Sequence, residues 1–329
     1  MRITILFGGT NKERLVSVAS AQALQEGLPE ADLWFWDVSD TVHEVQPQAL
    51  RSHARPFEDP FKPGNRGIGL EPALDKAMAE DRLLVLALHG GRAENGELQA
   101  MCELRGIAFT GSGSASSHLA FDKVAAKRFA AIAGVQAPVG VMLEDIDAAL
   151  AKYGKLIAKP ARDGSSYGLI FVNAKQDLVA VRNAAKTEEY VIEPFISGVE
   201  ATCGVLEQSD GSVIALPPIE IVPAEGGFDY TAKYLLKSTQ EICPGRFAPE
   251  ITAQLMDQAL KAHKALSCSG YSRTDFIISQ MGPVYLESNT LPGLNKASLY
   301  PKSIKVHGIE FADFLQGQID LAKKRTQRS

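Results

Sequence analysis

Two stretches near the C-terminal end, RTDFIIS at Arg273–Ser279 and VYLESNT at Val284–Thr290, decide how the rest of the chain is read. Both are short and apolar, and the residues between them, Gln280-Met281-Gly282-Pro283, carry a Gly-Pro turn signal, so the spacing predicts a β-hairpin. Side chains alternate faces along a strand, which brings Asp275, Glu287 and Asn289 to one face of that hairpin. A solvated sheet face is the plain alternative. The carboxylates sit inside apolar runs, however, where unpaired burial is costly. Three oxygen donors on one face suit Mg²⁺, which keeps part of its water shell and bridges substrate phosphates.

Upstream of the hairpin, a helix from about Glu250 to Leu266 carries Ile251, Leu255, Ala259, Ala262 and Leu266 on one side. Before it, Pro223 to Ala248 is long and carries glycines, charges and two prolines, the profile of a functional lid or a disordered stretch. Strand-like segments run back from there to Tyr190. Leu156–Lys159 and Leu169–Val172 flank the loop ARDGSSYG, a hairpin whose tip can close over a phosphate. Lys159 ends one apolar strand and Lys123 follows the apolar LAF, so both are candidates to contact phosphate as compact point charges, with snorkelling surface lysine as the alternative. Leu119, Val124, Phe129 and Ile132 predict the inner face of one helix ending near Gly134. After the hairpin, Phe311, Leu315, Ile319 and Ala322 predict a last helix.

The first hundred residues alternate short continuous apolar runs (Arg2–Phe7, Ala31–Val38, Leu83–Leu88) with a helix from about Glu13 to Leu28. That pattern predicts a parallel sheet covered on both faces, with ligands beyond the carboxyl ends of its strands. Gly8-Gly9 and His89-Gly90-Gly91 lie at those ends. The proline-bearing stretch Ser39–Gly69 reads as an irregular excursion.

Composition narrows the classes. With 45% hydrophobic and 22% charged residues, 329 residues can build two or three globular cores. A net charge of −5 argues against a nucleic-acid or anionic-membrane partner, and no apolar run is long enough to span a bilayer. Cys102, Cys203, Cys243 and Cys268 have no zinc or redox spacing, so buried thiols in a reducing cytoplasm are expected. GSGSAS at Gly111–Ser116 lacks the third glycine of a dinucleotide fingerprint, which disfavours a dehydrogenase. No P-loop or HExxH is present, and His89 alone makes no hydrolase.

Five motifs in order give the chain its resemblance. Gly8-Gly9-Thr10 with Glu13-Arg14 and Val16-Ser17 comes first, then His89-Gly90 with Glu94, Gly96 and Gln99, then Thr110–Gly113 with Asp122-Lys123. Lys159–Arg162 with Gly164-Ser165-Ser166 follows, and last come Tyr230 with Ala232-Lys233-Tyr234, Arg273–Asp275 and Glu287–Gly293. Together they resemble the D-alanine–D-alanine ligase family of ATP-grasp enzymes nearly end to end, thinning between Val38 and Leu83. The resemblance implies an α/β protein of mixed α+β character in three parts: an N-terminal α/β domain (1–111), a small central subdomain (112–193) and a C-terminal antiparallel-sheet subdomain (194–329).

It also implies roles. Lys123 and Lys159 would hold ATP phosphates under a loop bearing Ser165 and Ser166. Glu193, Ile196 and Glu200 would contact adenine and ribose, and Lys233 would reach the γ-phosphate. Asp275, Glu287 and Asn289 would bind two Mg²⁺ ions, or Mn²⁺. Glu13 would hold the ammonium of the first D-alanine, with Ser165 and Tyr234 beside it and His89 near the substrates. Arg273 and the Gly293 amide would receive an oxyanion, and Ser298 and Leu299 would meet the second substrate. A cytoplasmic homodimer is implied as well. Tyr234 stands where a histidine accompanies depsipeptide formation, so it points to a dipeptide product.

The implied chemistry explains the parts. A carboxylate is a poor electrophile, so ATP first makes it an acyl phosphate, and metals and lysines neutralise the phosphoryl oxygens. An amine then attacks, giving an oxyanion. Departures from the family pattern cluster near the amino-acid and lid positions: Ala93 and Asn95 in HGGRAENG, Asp163 before GSS, Tyr167 where valine is usual, Thr231 and Asn295. The expected function is ligation of two D-alanines for peptidoglycan precursors. The alternatives are a ligase of the same family with another acceptor or amino-acid pair, and a nucleotide-binding descendant without turnover.

Overall fold

A computed structural model describes residues 1–164, 167–223 and 239–326. Ser165, Ser166, Lys233 and Tyr234 lie outside the described residues.

The described residues form three sheets. Arg2–Gly8 (β1), Asp32–Trp36 (β2), Thr41–Val45 (β3), Ile68–Gly69 (β4), Arg82–Ala87 (β5) and Ala108–Phe109 (β6) lie in the order β4-β3-β2-β1-β5-β6. The β2-β1-β5-β6 part is parallel, as the apolar runs predict, while β3 and β4 add on antiparallel. The Ser39–Gly69 stretch is therefore less irregular than its prolines suggest. Val42 and Val45 are buried, and Pro47, Pro56, Pro60 and Pro63 all fall between β3 and β4, where no ladder N–H is needed. Parallel β1 and β5 end on the same edge, so Gly8-Gly9 and His89-Gly90 face one region.

Leu156–Pro160 (β7), Ile170–Val172 (β8) and Tyr190–Pro194 (β9) make a small antiparallel sheet, β8-β7-β9. Its core is its own: Ile146, Leu150, Leu156, Ala158, Val172, Leu178, Val181 and Ile192 pack on one another. The third sheet comprises Val199–Glu207 (β10), Val213–Ala215 (β11), Ile219–Val222 (β12), Gln240–Ile242 (β13), Tyr271–Ser279 (β14) and Gly282–Asn289 (β15). Its order is β13-β12-β10-β14-β15, with β11 paired to β10, and every pairing is antiparallel.

The helix Pro249–Ala265 buries Leu255, Ala259 and Ala262 on this sheet, as its spacing predicts. The segment before Gly134 does not behave as one helix. Asp122 breaks it into Ser114–Phe121 and Lys123–Ile132 and caps the second, its side chain accepting from the amides of Val124 and Ala125. The expected inner residues Phe129 and Ile132 are 48% and 85% exposed, and the helix instead buries Lys123, Ala126, Lys127 and Ala130. The apolar spacing misleads here because two of the buried side chains are ion-paired lysines.

The largest core joins distant parts of the chain. Ile5, Phe7, Leu83 and Val85 of the first sheet and Leu24 of the helix Arg14–Gly27 pack with Leu206, Tyr271, Tyr300, Phe314 and Ile319 from the C-terminal part of the chain. Tyr300 closes it polar-end satisfied, donating to the Val205 carbonyl at 2.8 Å.

Candidate active site

A cavity of about 270 Å³ lies between the small sheet and the third sheet. Ile157, Leu169, Phe171, Phe195, Ile196, Ile277 and Leu286 make its apolar part, and Lys123, Lys159, Glu193, Glu200, Asp275 and Glu287 its charged part. A slot with an apolar wall and a polar, charged end accepts a flat ring with a charged tail.

The charged end is built from two elements that supply cations. Lys123, at the start of its helix, hydrogen-bonds the Asp163 carbonyl and sits 3.4 Å from Glu287 Oε2. Lys159, near the end of β7, lies 3.7 Å from Glu193 Oε2. The other oxygen of Glu193 is held by Lys127, which sequence reasoning passed over. Its signal was available: Lys127 follows Lys123 by one helical turn and shares its face. Burial, followed by the charge of Lys159, pushes the Lys127 ammonium below its ordinary range, and Glu193 opposes that shift.

The hairpin register brings the three oxygen-bearing side chains together. Asp275 is the cross-strand partner of Glu287, and Arg273 that of Asn289. Asn289 Nδ2 lies 3.2 Å from Asp275 Oδ2, and Thr202 donates to Asp275 Oδ1 at 2.6 Å. Arg273 grips both oxygens of Asp275, through Nε at 2.9 Å and Nη2 at 2.8 Å. A bulge follows at once. Phe276 pairs with Tyr285, which leaves Leu286 as an extra residue on β15. The bulge lets adjacent Leu286 and Glu287 both line the cavity while Phe276 and Tyr285 stay in the core. Among the described residues no three His, Cys, Asp or Glu side chains gather at metal spacing. The set here is two carboxylates and an amide, a donor chemistry that fits Mg²⁺ retaining several waters.

A second cavity, about 650 Å³, opens on the other side of Asp163 and Tyr167, which line both. Glu13 stands in it beside Asn11, Arg14, Arg92 and Asn95. Asn11 fixes the approach: its Oδ1 accepts from the Glu13 amide at 2.7 Å and its Nδ2 donates to the His89 carbonyl at 2.7 Å. The Lys12 ammonium stands 4.6 Å over the Tyr167 ring. Glu94 is a further acid that sequence reasoning did not single out as a site residue. Burial, then the charge of Glu13, raises its carboxyl to about 7, although it accepts from the Gly90 amide at 3.0 Å.

His89 is placed behind the cavities. Its Nδ1 lies 3.1 Å from the Leu291 carbonyl and must donate to it, so Nε2 accepts from Ser20, 3.0 Å away. Burial lowers its pKa to about 4, and the ring is neutral. It ties the helix Arg14–Gly27 to the loop after β15. In that loop Gly293 lies against Ser298: a β-carbon on Gly293 would come within 2.5 Å of the Ser298 Oγ. Ser298 immediately precedes the helix Leu299–His307 without a side-chain hydrogen bond to its first turn, and Leu299 is buried with Ile219 and Ile221.

The small sheet and the larger antiparallel sheet hold between them a slot with two lysines and a carboxylate pair, the layout of the ATP-grasp fold. Family profiles described as "D-ala D-ala ligase N-terminus" and "D-ala D-ala ligase C-terminus" match residues 2–112 and 144–320. A D-alanine–D-alanine ligase of Nitrosomonas eutropha is 34% identical over 98% of this chain and 96% of its own. The crystal structure of VanG D-Ala:D-Ser ligase from Enterococcus faecalis superposes with a TM-score of 0.78 at 31% identity, covering 98% of this chain and 99% of that one. The Bacillus anthracis D-alanine–D-alanine ligase complexed with ATP gives 0.75 at 27%, covering 100% and 98%. The chain belongs to the D-alanine–D-alanine ligase family.

Proposed function

We propose that the chain joins two D-alanine molecules at the expense of ATP, through an acyl phosphate, to supply the dipeptide of peptidoglycan precursors in the cytoplasm. The observation that carries this reading is the adjacency of the two cavities. Asp163 and Tyr167 belong to both, and Glu13 stands in one while Lys123, Lys159 and the carboxylate pair stand in the other.

On this reading ATP lies with its base between the apolar walls and its phosphates toward Lys123 and Lys159. Ile196 and Glu200 meet the base and ribose. Glu13 holds the ammonium of the first D-alanine, which turns its carboxylate toward the γ-phosphate. The carboxylate oxygen bonds to phosphorus and ADP leaves. The amine of the second D-alanine then attacks the acyl carbon and loses a proton, and phosphate departs. Arg273, anchored by Asp275, and the Gly293 amide receive the oxyanion, a contribution of about 3–4 kcal/mol for one such donor. Ser298 and Leu299 meet the second substrate, and His89 sets the distance between the two substrate walls. Asp275, Glu287 and Asn289 would hold two Mg²⁺ ions, or Mn²⁺, which neutralise phosphoryl charge when bound. Ser165, Ser166, Lys233 and Tyr234 would close over the substrates. The three-part division at 111 and 193, and a homodimer, complete the proposal; sedimentation tests the latter.

A second reading is supported by the VanG neighbour: the acceptor is D-serine or another small D-amino or hydroxy acid. One experiment separates the readings. ADP release is measured with Mg²⁺ and ATP across single and paired D-amino acids, with products identified by mass. D-alanine alone yielding its dipeptide supports the first. Turnover only with a mixed pair supports the second, and no ADP with any pair leaves a non-catalytic nucleotide binder.

A further inference from the structure

We infer that Lys127 is a positioning residue, whose fixed ion pair with Glu193 keeps Glu193 from capturing Lys159 and so leaves Lys159 able to turn to the phosphates of the bound nucleotide. The inference rests on the reading of the first cavity as a nucleotide site.

Glu193 is 2% exposed and faces two ammonium groups. One oxygen is held in a hydrogen-bonded ion pair by Lys127, and the other meets Lys159 across 3.7 Å, beyond hydrogen-bonding distance. The two lysines differ in what else they reach. Lys159 lines the cavity together with Glu193, while Lys127 stands behind Glu193 on the Lys123–Ile132 helix, 7% exposed. A buried carboxylate left with a single cation binds it tightly, because an unpaired buried charge is strongly unfavourable. With Lys127 present, Glu193 is already paired and Lys159 is held only loosely. Remove the charge of Lys127 and Lys159 becomes the one close cation available to Glu193 among the described residues. The helix spacing makes the division of labour possible. Lys123 and Lys127 are one turn apart, so the same face sends the first to Glu287 and the second to Glu193.

The test is the binding of two ligands to the intact protein by calorimetry: Mg²⁺ with the non-hydrolysable triphosphate AMP-PNP, and adenosine, which has no phosphates. For Lys127→Met, AMP-PNP affinity is expected to fall about tenfold, the range of one hydrogen bond to a charged group, with adenosine affinity within about twofold. Lys127→Arg, which keeps the charge, is expected to bind AMP-PNP close to wild type, and Lys127→Gln, which keeps a donor without charge, to fall between. Should Lys127→Met fail to fold, Lys127→Gln carries the same comparison. Equal weakening of both ligands would mean that Lys127 only maintains the fold of the cavity, and unchanged AMP-PNP affinity would mean that Lys159 does not depend on it. Either result overturns the inference. No AMP-PNP binding by the wild type would instead overturn the nucleotide reading itself, and the inference with it.

Discussion

The carboxylate of Glu13 lies directly against the α-carbon of Gly90, so close that a β-carbon on Gly90 would overlap Oε2. Gly90 also has a φ of +63° with ψ of 174°, a region essentially reserved for glycine. Substitution Gly90→Ala therefore adds strain of order 1–3 kcal/mol and pushes Glu13 aside. The expected outcome is a rise of about tenfold or more in the KM of the first amino acid, with AMP-PNP affinity nearly unchanged. Equal KM in the variant and the wild type would mean that Glu13 does not set that site.

His89 predicts an acid limit to stability. The unfolded ring takes a proton below about 6.5, whereas the buried ring resists until about 4. Between those values the unfolded chain binds more protons, so stability is fully present above 6.5 and is lost as pH falls toward 4, by about 3 kcal/mol for such a shift. His263, also buried and lowered to about 4, adds a loss of the same sign. His89→Asn is expected to remove about half of the acid-side fall attributable to the two rings. Thermal midpoints of both proteins from pH 4 to 7.5 check this. Parallel curves would show that His89 is not the group responsible.

Asp275 and Glu287 sit opposite one another across the hairpin. Glu287→Gln removes one of two neighbouring negative charges and the ion-pair partner of buried Lys123, which keeps its hydrogen bond to the Asp163 carbonyl. Turnover at fixed Mg²⁺ is expected to fall at least about a hundredfold and the Mg²⁺ concentration for half-activity to rise, with the metal-free melting midpoint within a few degrees. An unshifted Mg²⁺ requirement would remove Glu287 from the metal set.

Tyr167 borders both cavities and carries Lys12 on its ring. An exposed cation–π pair of this kind contributes about 0.5–1 kcal/mol, so Tyr167→Val costs little stability. It does open the wall beside Glu13. Larger D-amino acids are expected to compete better with D-alanine for the first site, read as relative kcat/KM in mixed-substrate assays. A variant with the wild-type preference would show that the ring does not limit side-chain size.

Much of this arrangement is legible in the chain. Period-two alternation puts Glu287 and Asn289 on one face of β15, but a regular ladder counted from the turn at Gln280-Met281 would set Leu286 opposite Asp275, and it is the bulge that brings Glu287 there instead. The bulge at Leu286 is not legible. Nothing in LES distinguishes a regular strand from one with an extra residue, since the choice is made by Phe276 and Tyr285 packing together in the core. The buried lysines of Lys123–Ile132 mislead for a related reason. Hydrophobic spacing reports which side chains avoid water alone, whereas Lys127 avoids it with a partner 66 residues away. Antiparallel β3 and β4 escape notice because four prolines dominate the stretch between them.

The shared core has a consequence for how the molecule can be taken apart. Phe7 and Val85 near one terminus are in the same cluster as Tyr300 and Phe314 near the other, while the small sheet keeps an apolar cluster entirely within residues 141–192. Cutting the chain at residue 111 would expose both halves of one interior and leave neither half soluble. The insert that can be excised, swapped or grafted whole is the small sheet with its helices, and with it half of the wall of the first cavity. Exchange between relatives would therefore proceed by trading this middle cassette, altering the first cavity and, through Arg162, Asp163 and Tyr167, one edge of the second, while Asn11 and Glu13 stay behind.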